Sequence, residues 1–414
     1  MRGLAPALLI LLGVLPVGLG AQANPTAFTH VNLIRMDRER ILEDHTVVVQ
    51  GGLIREVAPS HRVQLPEGTT IIEGEGLFLM PALGDMFVRL PGAGASVEEI
   101  EEFFLLLLAN NITTVRAMSG VPAHLQLKRR TARGELRGPT IYVGSPTFDG
   151  SSLTDSATAV SAAISRMLTY RSAGYDFLQT GRSIPLMPWD SLTEEAHSRG
   201  YTFGGLIPDS VGLRYALGTG ISTVDHLDGY LTWIVPEELR RRVEGGGSVP
   251  MRTLLEAAEG RRMRAMAAHT RSSDTWNIPT LRLWETTYGT QDVDSLLSLP
   301  QMGYVSPSTL EYWSRQKEAG LPLDPATAEL LLEVRRRLVR AITMSGAGVL
   351  AGSGAPQLFG VPGFSFRDEL RSLQAASLTP YEVMVTATRN VAAYAQQELR
   401  EAGNFGIVEE GNRA

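Results

Sequence analysis

The sequence predicts an α/β protein: a (β/α)8 TIM-like barrel with a small all-β module built mainly from the N-terminal segment. Three observations carry that expectation. From Pro81 onward short apolar strands alternate with helical stretches, eight strands each followed by a helix. Such repeats bury the strands inside a ring of helices. Before that point the chain alternates polar and apolar residues in short runs, the pattern of half-buried strands. The length of 414 residues, with 43% hydrophobic and 20% charged residues, suits a globular chain with a large core.

Residues 1–23 read as a secretory signal peptide. Arg2 precedes an apolar run, Leu4–Leu19, broken by Pro6, Gly13, Pro16 and Gly18. Ala21-Gln22-Ala23 follows as a small-x-small pattern that places cleavage near Ala23. The run is too short and too broken for a spanning helix. The expectation is a secreted or periplasmic protein with no membrane span in its mature form.

Residues 24–80 form the expected β module, with the runs FTHVNLIRM, HTVVVQ, LIREVAP and TTIIEG. Gly51-Gly52 between two of them signals a hairpin. His30, His45 and His61 fall there and read as surface residues. Residues 81–400 form the expected barrel. Its strands lie near Gly84–Val88, Thr113–Met118, Thr140–Gly144, Asp176–Thr180, Thr202–Leu206, Thr223–Leu227, Asn277–Leu281 and Gly348–Ser353. Helices are expected over Val97–Ala109, Ala157–Ser172, Ser191–Ser198, Val211–Leu217, Met251–His269 and Ala326–Met344. Leu231–Pro250 and Met302–Pro325 read as Gly/Pro-punctuated insertions. Phe366–Ala376 and Pro380–Glu398 are closing helices. In residues 401–414, Phe405–Val408 reads as a strand returning to the β module.

Composition excludes some roles. A net charge of −6 argues against a nucleic-acid surface, which needs clustered Lys and Arg. Arg129–Arg130, Arg240–Arg242 and Arg261–Arg262 read as solvated helix faces. With no cysteine, disulfides and thiolate nucleophiles are excluded.

Barrel enzymes work at the C-terminal ends of their strands. The stretch Leu79–Leu90, LMPALGDMFVRL, reads as the first of these strands, and alternation puts Asp85, Phe87 and Arg89 on one side. This stretch, followed in order by NITTVRAMSG, GYDFLQT, GLIPDSVGLRYALGTGISTVDHLDGY, WNIPTLRLWE, VLAGSGA, VPGFSFRDEL and LTPYEVMVTATRN, resembles the amidohydrolase superfamily. Within it, the chain is similar to the exported imidazolonepropionase-like or prolidase-like branch. The resemblance implies a (β/α)8 barrel with a β-sandwich from both chain ends. It implies hydrolysis of amide, peptide or related C–N bonds by a hydroxide bound to zinc or a similar divalent metal.

The resemblance also implies where the metal would sit. Phe87 and Arg89 stand where the family has its first-strand histidines. Gln179 replaces the bridging lysine, Leu206 the fifth-strand histidine and Gly354 the eighth-strand aspartate. His226 keeps the sixth-strand histidine, the one retained ligand-type residue. Family members continue past the equivalent of Gly411–Ala414, so the β module is expected to be short of strands, with an edge open to pairing.

Catalytic zinc needs about three protein ligands. Phe87, Leu206 and Gly354 offer none, and the Gln179 amide cannot become a carbamate. Arg89 keeps its charge and would repel a cation a few ångströms away by roughly 4 kcal/mol per unit charge. No cofactor and no metal are therefore expected, and no catalytic residue is assigned. The candidate ligand-binding residues are Arg89, His226, Asp85 and Asp225. Arg89 would form a buried ion pair with Asp85 or Asp225, or clamp a ligand carboxylate or phosphate. Asp209, Asp228 and Glu285 lie near other strand ends without a spacing that singles out a pair. Ser183 and Ser353 lack a nucleophile-elbow context. Arg116 and Arg367 read as scaffold or rim residues.

Three functional readings follow. One is an exported non-catalytic homologue that binds a small-molecule ligand or an active amidohydrolase partner subunit. The alternative is an active C–N hydrolase with a rebuilt site. The third is a decaying or truncated product without a selected role.

Overall fold

The computed structural model describes residues 24–150, 154, 156–320 and 323–414. The expected signal peptide lies outside the described residues. The chain divides into two units. One is the chain up to Ile34 with Ile41–Leu79 and Val408–Ala414; the other is Arg35–Arg40 with Met80–Ile407. Among the described residues no helix is long and apolar enough to cross a membrane.

The first unit contains β1 (Thr26–Leu33), β2 (Leu42–Gln50), β3 (Leu53–Pro59), β4 (Thr70–Glu73) and β5 (Phe78–Leu79). They make one sheet in the order β3-β2-β1-β4, with β5 also paired to β1. Gly51 and Gly52 both have positive φ, which the tight β2–β3 turn requires and which glycine adopts without a Cβ clash. Val31, Leu33, Val47, Ile54 and Val408 pack together on this sheet. The sandwich expected from the sequence is represented, among the described residues, by this single sheet. Phe405–Val408, expected as a strand, is irregular. The C-terminal residues join the sheet through Val408 in the core and a single bridge from Arg413 to Leu53.

The second unit holds β6 (Leu83–Val88), β7 (Ile112–Ala117), β8 (Thr140–Val143), β9 (Phe177–Thr180), β10 (Thr202–Gly205), β11 (Thr223–Asp225) and β12 (Trp276–Ile278). They form parallel sheets in the orders β6-β7-β8 and β12-β11-β10-β9. A bridge from Gly144 to Phe177 joins the two sheets, and further bridges link Asn277 to Val349 and Val88 to Ala355. The strands are buried almost throughout, as parallel strands covered on both faces are.

The segment expected as the eighth strand, Gly348–Ser353, is not a regular strand, yet it is bonded on both sides. Leu350 N donates to Asn277 O at 2.9 Å and Met86 N donates to Ala351 O at 2.9 Å. Its glycines explain the irregularity. A Cβ on Gly348 would lie 2.3 Å from Trp276, and one on Gly352 would lie 2.6 Å from Ile278 and 2.7 Å from Phe87. Close backbone approach of this kind marks strand glycines.

Helices lie between the strands. Val97–Ala109 begins at a reciprocal Ser96–Glu99 capping box, which satisfies two donors left orphaned at a helix start. Pro325–Ser345 is capped by Asp324 and ends at Gly346 in the left-handed region. The expected helix Met251–His269 is two helices, Met251–Glu256 and Gly260–Ser272. Pro380–Glu398 likewise splits into Pro380–Ala387 and Arg389–Glu398, because Thr388 sits at φ −130, ψ −87. The insertion after β11 carries the short helices Tyr230–Trp233 and Glu237–Glu244.

Candidate ligand site at the strand ends

At β6 the alternation read from sequence yields three different environments. Asp85 is fully buried. Its Oδ2 accepts from Ser353 Oγ at 2.5 Å, and its Oδ1 accepts from Ser353 N at 2.9 Å and Phe87 N at 3.2 Å. Burial pushes this carboxyl up to about 7, against the pull of those bonds. Asp85 thus ties β6 to the Val349–Ala355 segment. Phe87 is buried and its ring centroid lies 4.5 Å from that of His226.

Arg89 is exposed, and the ion pair expected between it and Asp85 or Asp225 is not formed. It lies past the end of β6, where its backbone N donates to Ala355 O at 2.8 Å. Both carboxylates are engaged elsewhere: Ser353 holds Asp85, and Arg116 holds Asp225. Arg116 Nη1 is 3.4 Å from Asp225 Oδ1, its Nη2 donates to Thr223 Oγ1 at 2.9 Å, and its guanidinium lies 4.1 Å from the Phe177 ring centroid. Arg116 is fully buried, so it is an interior scaffold residue and not a rim one. Burial raises the Asp225 carboxyl, and the Arg116 charge opposes that rise. Arg367 is exposed over the Phe364 ring, as a rim residue would be.

The other positions at which the sequence resemblance implies metal ligands are occupied in ways that leave little for a cation. Gln179 is buried, and both ends of its amide are engaged. Oε1 accepts from Ser119 N at 2.6 Å, and Nε2 donates to Thr147 Oγ1 at 3.1 Å. Leu206 is half-buried and donates its backbone N–H to Thr180 O. Gly354 has φ +73, and a Cβ there would meet Leu283 at 3.2 Å, so any side chain is strained.

His226 is itself at φ 59. Its backbone N donates to Ile278 O at 2.7 Å, its O accepts from Arg335 Nη2 at 2.6 Å, and its Nδ1 lies 2.6 Å from Thr280 Oγ1. Desolvation first, then the positive fields of Arg335, Arg89, Arg182 and Arg116, push its pKa down to about 3. The ring is therefore neutral near pH 7.

A divalent metal does not fit this set. Of the six positions only His226 offers an imidazole, in the field of four guanidinium groups, and the Gln179 amide oxygen is taken by Ser119 N. Among the described residues no group of three or more His, Cys, Asp or Glu is placed to hold a metal ion.

Beside His226 lies a cavity of about 550 Å³, within the 300–1,000 Å³ range of small-molecule sites. Its polar wall includes Arg182, Asp228 and Arg335. Arg182 Nη2 is 2.5 Å from Asp228 Oδ1, and Asp228 Oδ2 accepts from Ile207 N at 2.9 Å. Arg335 is buried, and its guanidinium lies 3.6 Å from the centroid of the Trp284 ring. Burial lowers its pKa to about 9. Sequence reasoning missed Arg335 because it opens the run Arg335–Arg337. The available signal was spacing: Arg335 stands four residues after Leu331 and three before Leu338, on the helix's apolar stripe.

No protein-family model and no curated protein matches the sequence. Solved structures do match. A bottromycin amidohydrolase is 21% identical with a TM-score of 0.66, covering 94% of this chain and 80% of that one. A prolidase complexed with n-methylphosphonate-L-proline is 15% identical with a TM-score of 0.61, covering 94% and 91%. The ochratoxinase of A. niger is 13% identical with a TM-score of 0.60, covering 94% and 88%. The chain carries the α/β fold of these prolidase and amidohydrolase structures.

Proposed function

We propose that the chain is an exported, non-catalytic member of the amidohydrolase superfamily that binds a small molecule and does not hydrolyse it. The fold likeness supports the superfamily, and residues 1–23 support export. β6 to β12 together with Val349–Ala355 would be the eight strands of a (β/α)8 barrel. The bridges from Gly144 to Phe177, Asn277 to Val349 and Val88 to Ala355 support closure.

The observation that carries the loss of catalysis is the state of His226. It is the last imidazole at the family's metal positions, and burial first, then the charges of Arg335, Arg89, Arg182 and Arg116, depress its basicity. A bound cation would feel the same four charges. The family's nucleophile is a metal-bound hydroxide, and without a metal water keeps its ordinary acidity. A rebuilt hydrolase would need a free carboxylate pair, and Asp85 and Asp225 are both occupied by internal partners.

Hydrolysis of N-acyl amino acids and acyl-dipeptides by the purified chain, with and without chelator, tests the proposal. The expected result is no turnover above the buffer blank, with or without chelator. Turnover above the blank would overturn it, as a metal-dependent hydrolase where chelation removes it and as a rebuilt one where it does not.

A further inference from the structure

The cavity beside His226 combines an apolar body with one buried cation that has no ion-pair partner among the described residues. Trp233, Leu254, Leu255, Leu331, Val334 and Leu338 line it. Each other charged group on its wall has an ion-pair partner. Arg182 bridges Asp228 at 2.5 Å and Asp209 at 3.6 Å, and Glu244 lies 3.8 Å from Arg240. His226 is neutral, as derived above.

Arg335 is the exception. It is 7% exposed, and no carboxylate lies within ion-pair distance of it among the described residues. Its hydrogen bonds are those of Nη2, to His226 O at 2.6 Å and Pro279 O at 3.3 Å. Its Nε has no partner among the described residues. A buried charge is costly unless paired, and the Trp284 face offsets only part of that cost. A lone buried guanidinium on the wall of an apolar cavity is a site for an anion with a hydrophobic body.

We propose that this cavity holds an amphipathic monocarboxylate, its head group on Arg335 and its aliphatic body against Trp233, Leu254, Leu255 and Leu338. This deepens the binding role proposed above and rests on it. A carboxylate suits the planar guanidinium fork. A single negative charge suits the one cation on this wall that lacks an ion-pair partner. The size of the cavity suits a medium-length chain.

Calorimetric titration of the full chain with decanoate, decanol and decyltrimethylammonium tests this. A charge-assisted bond is worth about 1.5–3 kcal/mol. Decanoate is therefore expected to bind roughly tenfold or more tighter than decanol, and the ammonium more weakly still. Arg335→Gln should remove that preference and leave decanol binding within about twofold. Arg335 also holds two backbone carbonyls, so if Arg335→Gln fails to fold, the head-group comparison on the wild-type chain decides alone. Equal binding of decanoate and decanol, or no binding of decanoate, would overturn the proposal. The hydrolysis assay separates this failure from failure of the parent reading. Absent decanoate binding with absent hydrolysis sinks the ligand class alone, whereas hydrolysis above the blank sinks both.

Discussion

At the strand ends stand a neutral imidazole, His226, and a fixed guanidinium, Arg116. Arg116 supplies a buried guanidinium held by Asp225 and the Phe177 face. Removing one partner of such a pair strands the other without compensation. Arg116→Met should therefore cost about 3–5 kcal/mol, read by urea denaturation, and Arg116→Met with Asp225→Leu should recover part of that loss. Placing one histidine where the resemblance implies a ligand, as in Phe87→His, should not give zinc binding by equilibrium dialysis, because two imidazoles still fall short of a ligand set and the guanidinium field remains. At this scale the sequence was legible where side-chain chemistry alone decides: Phe87, Leu206 and Gly354 cannot coordinate a cation wherever they point. It was not legible where direction decides. Strand alternation grouped Arg89 with Asp85, but the strand ends at Val88, and Arg89, past it and exposed, reaches His226 by its charge without pairing to Asp85. Arg335 was hidden in an arginine run of which one member faces in.

Among the elements, the long helices and the parallel strands were legible from periodicity and apolar runs. Val97–Ala109 has the boundaries the sequence implies. The breaks at Thr388 and at Ala257–Glu259 were not, since hydrophobic spacing runs through a local kink without changing its period. The last segment before Ala355 was read as a regular strand, and its glycines were the overlooked signal. Gly352→Ala tests that reading. Its Cβ would fall within 2.7 Å of both Ile278 and Phe87, so overpacking should destabilise the chain by about 1–3 kcal/mol. Denaturant midpoints compared with those of Gly92→Ala, where nothing lies within 4 Å, provide the control.

Across the whole molecule, buried titratable groups make stability depend on pH in opposing ways. Glu369 is fully buried and its carboxyl is pushed up to about 8 by desolvation. The folded chain therefore holds a proton that the unfolded chain releases near 4.5. Stability from this group is fully present below pH 4.5 and falls as pH rises toward 8. His226, pushed down to about 3, acts the other way: the unfolded chain binds a proton near 6.5 that the folded chain refuses. Its contribution is lost as pH falls from 6.5 toward 3. Glu369→Gln should flatten the upper limb, so its Tm relative to wild type should rise between pH 5 and pH 8, by roughly 2 °C or more. A Tm difference that stays constant over that range would remove Glu369 from the account.

The α/β class was legible because alternating strand and helix periods are a property of the whole chain. The N-terminal sheet's layering was not, since pairing between distant strands leaves no local trace. The central claim is that the strand ends cannot hold a catalytic metal. Metal content of the purified full chain after incubation with excess zinc, measured by mass spectrometry alongside His226→Ala, tests it most directly. The account predicts no stoichiometric zinc in either protein; one zinc per wild-type chain, lost in His226→Ala, would contradict it.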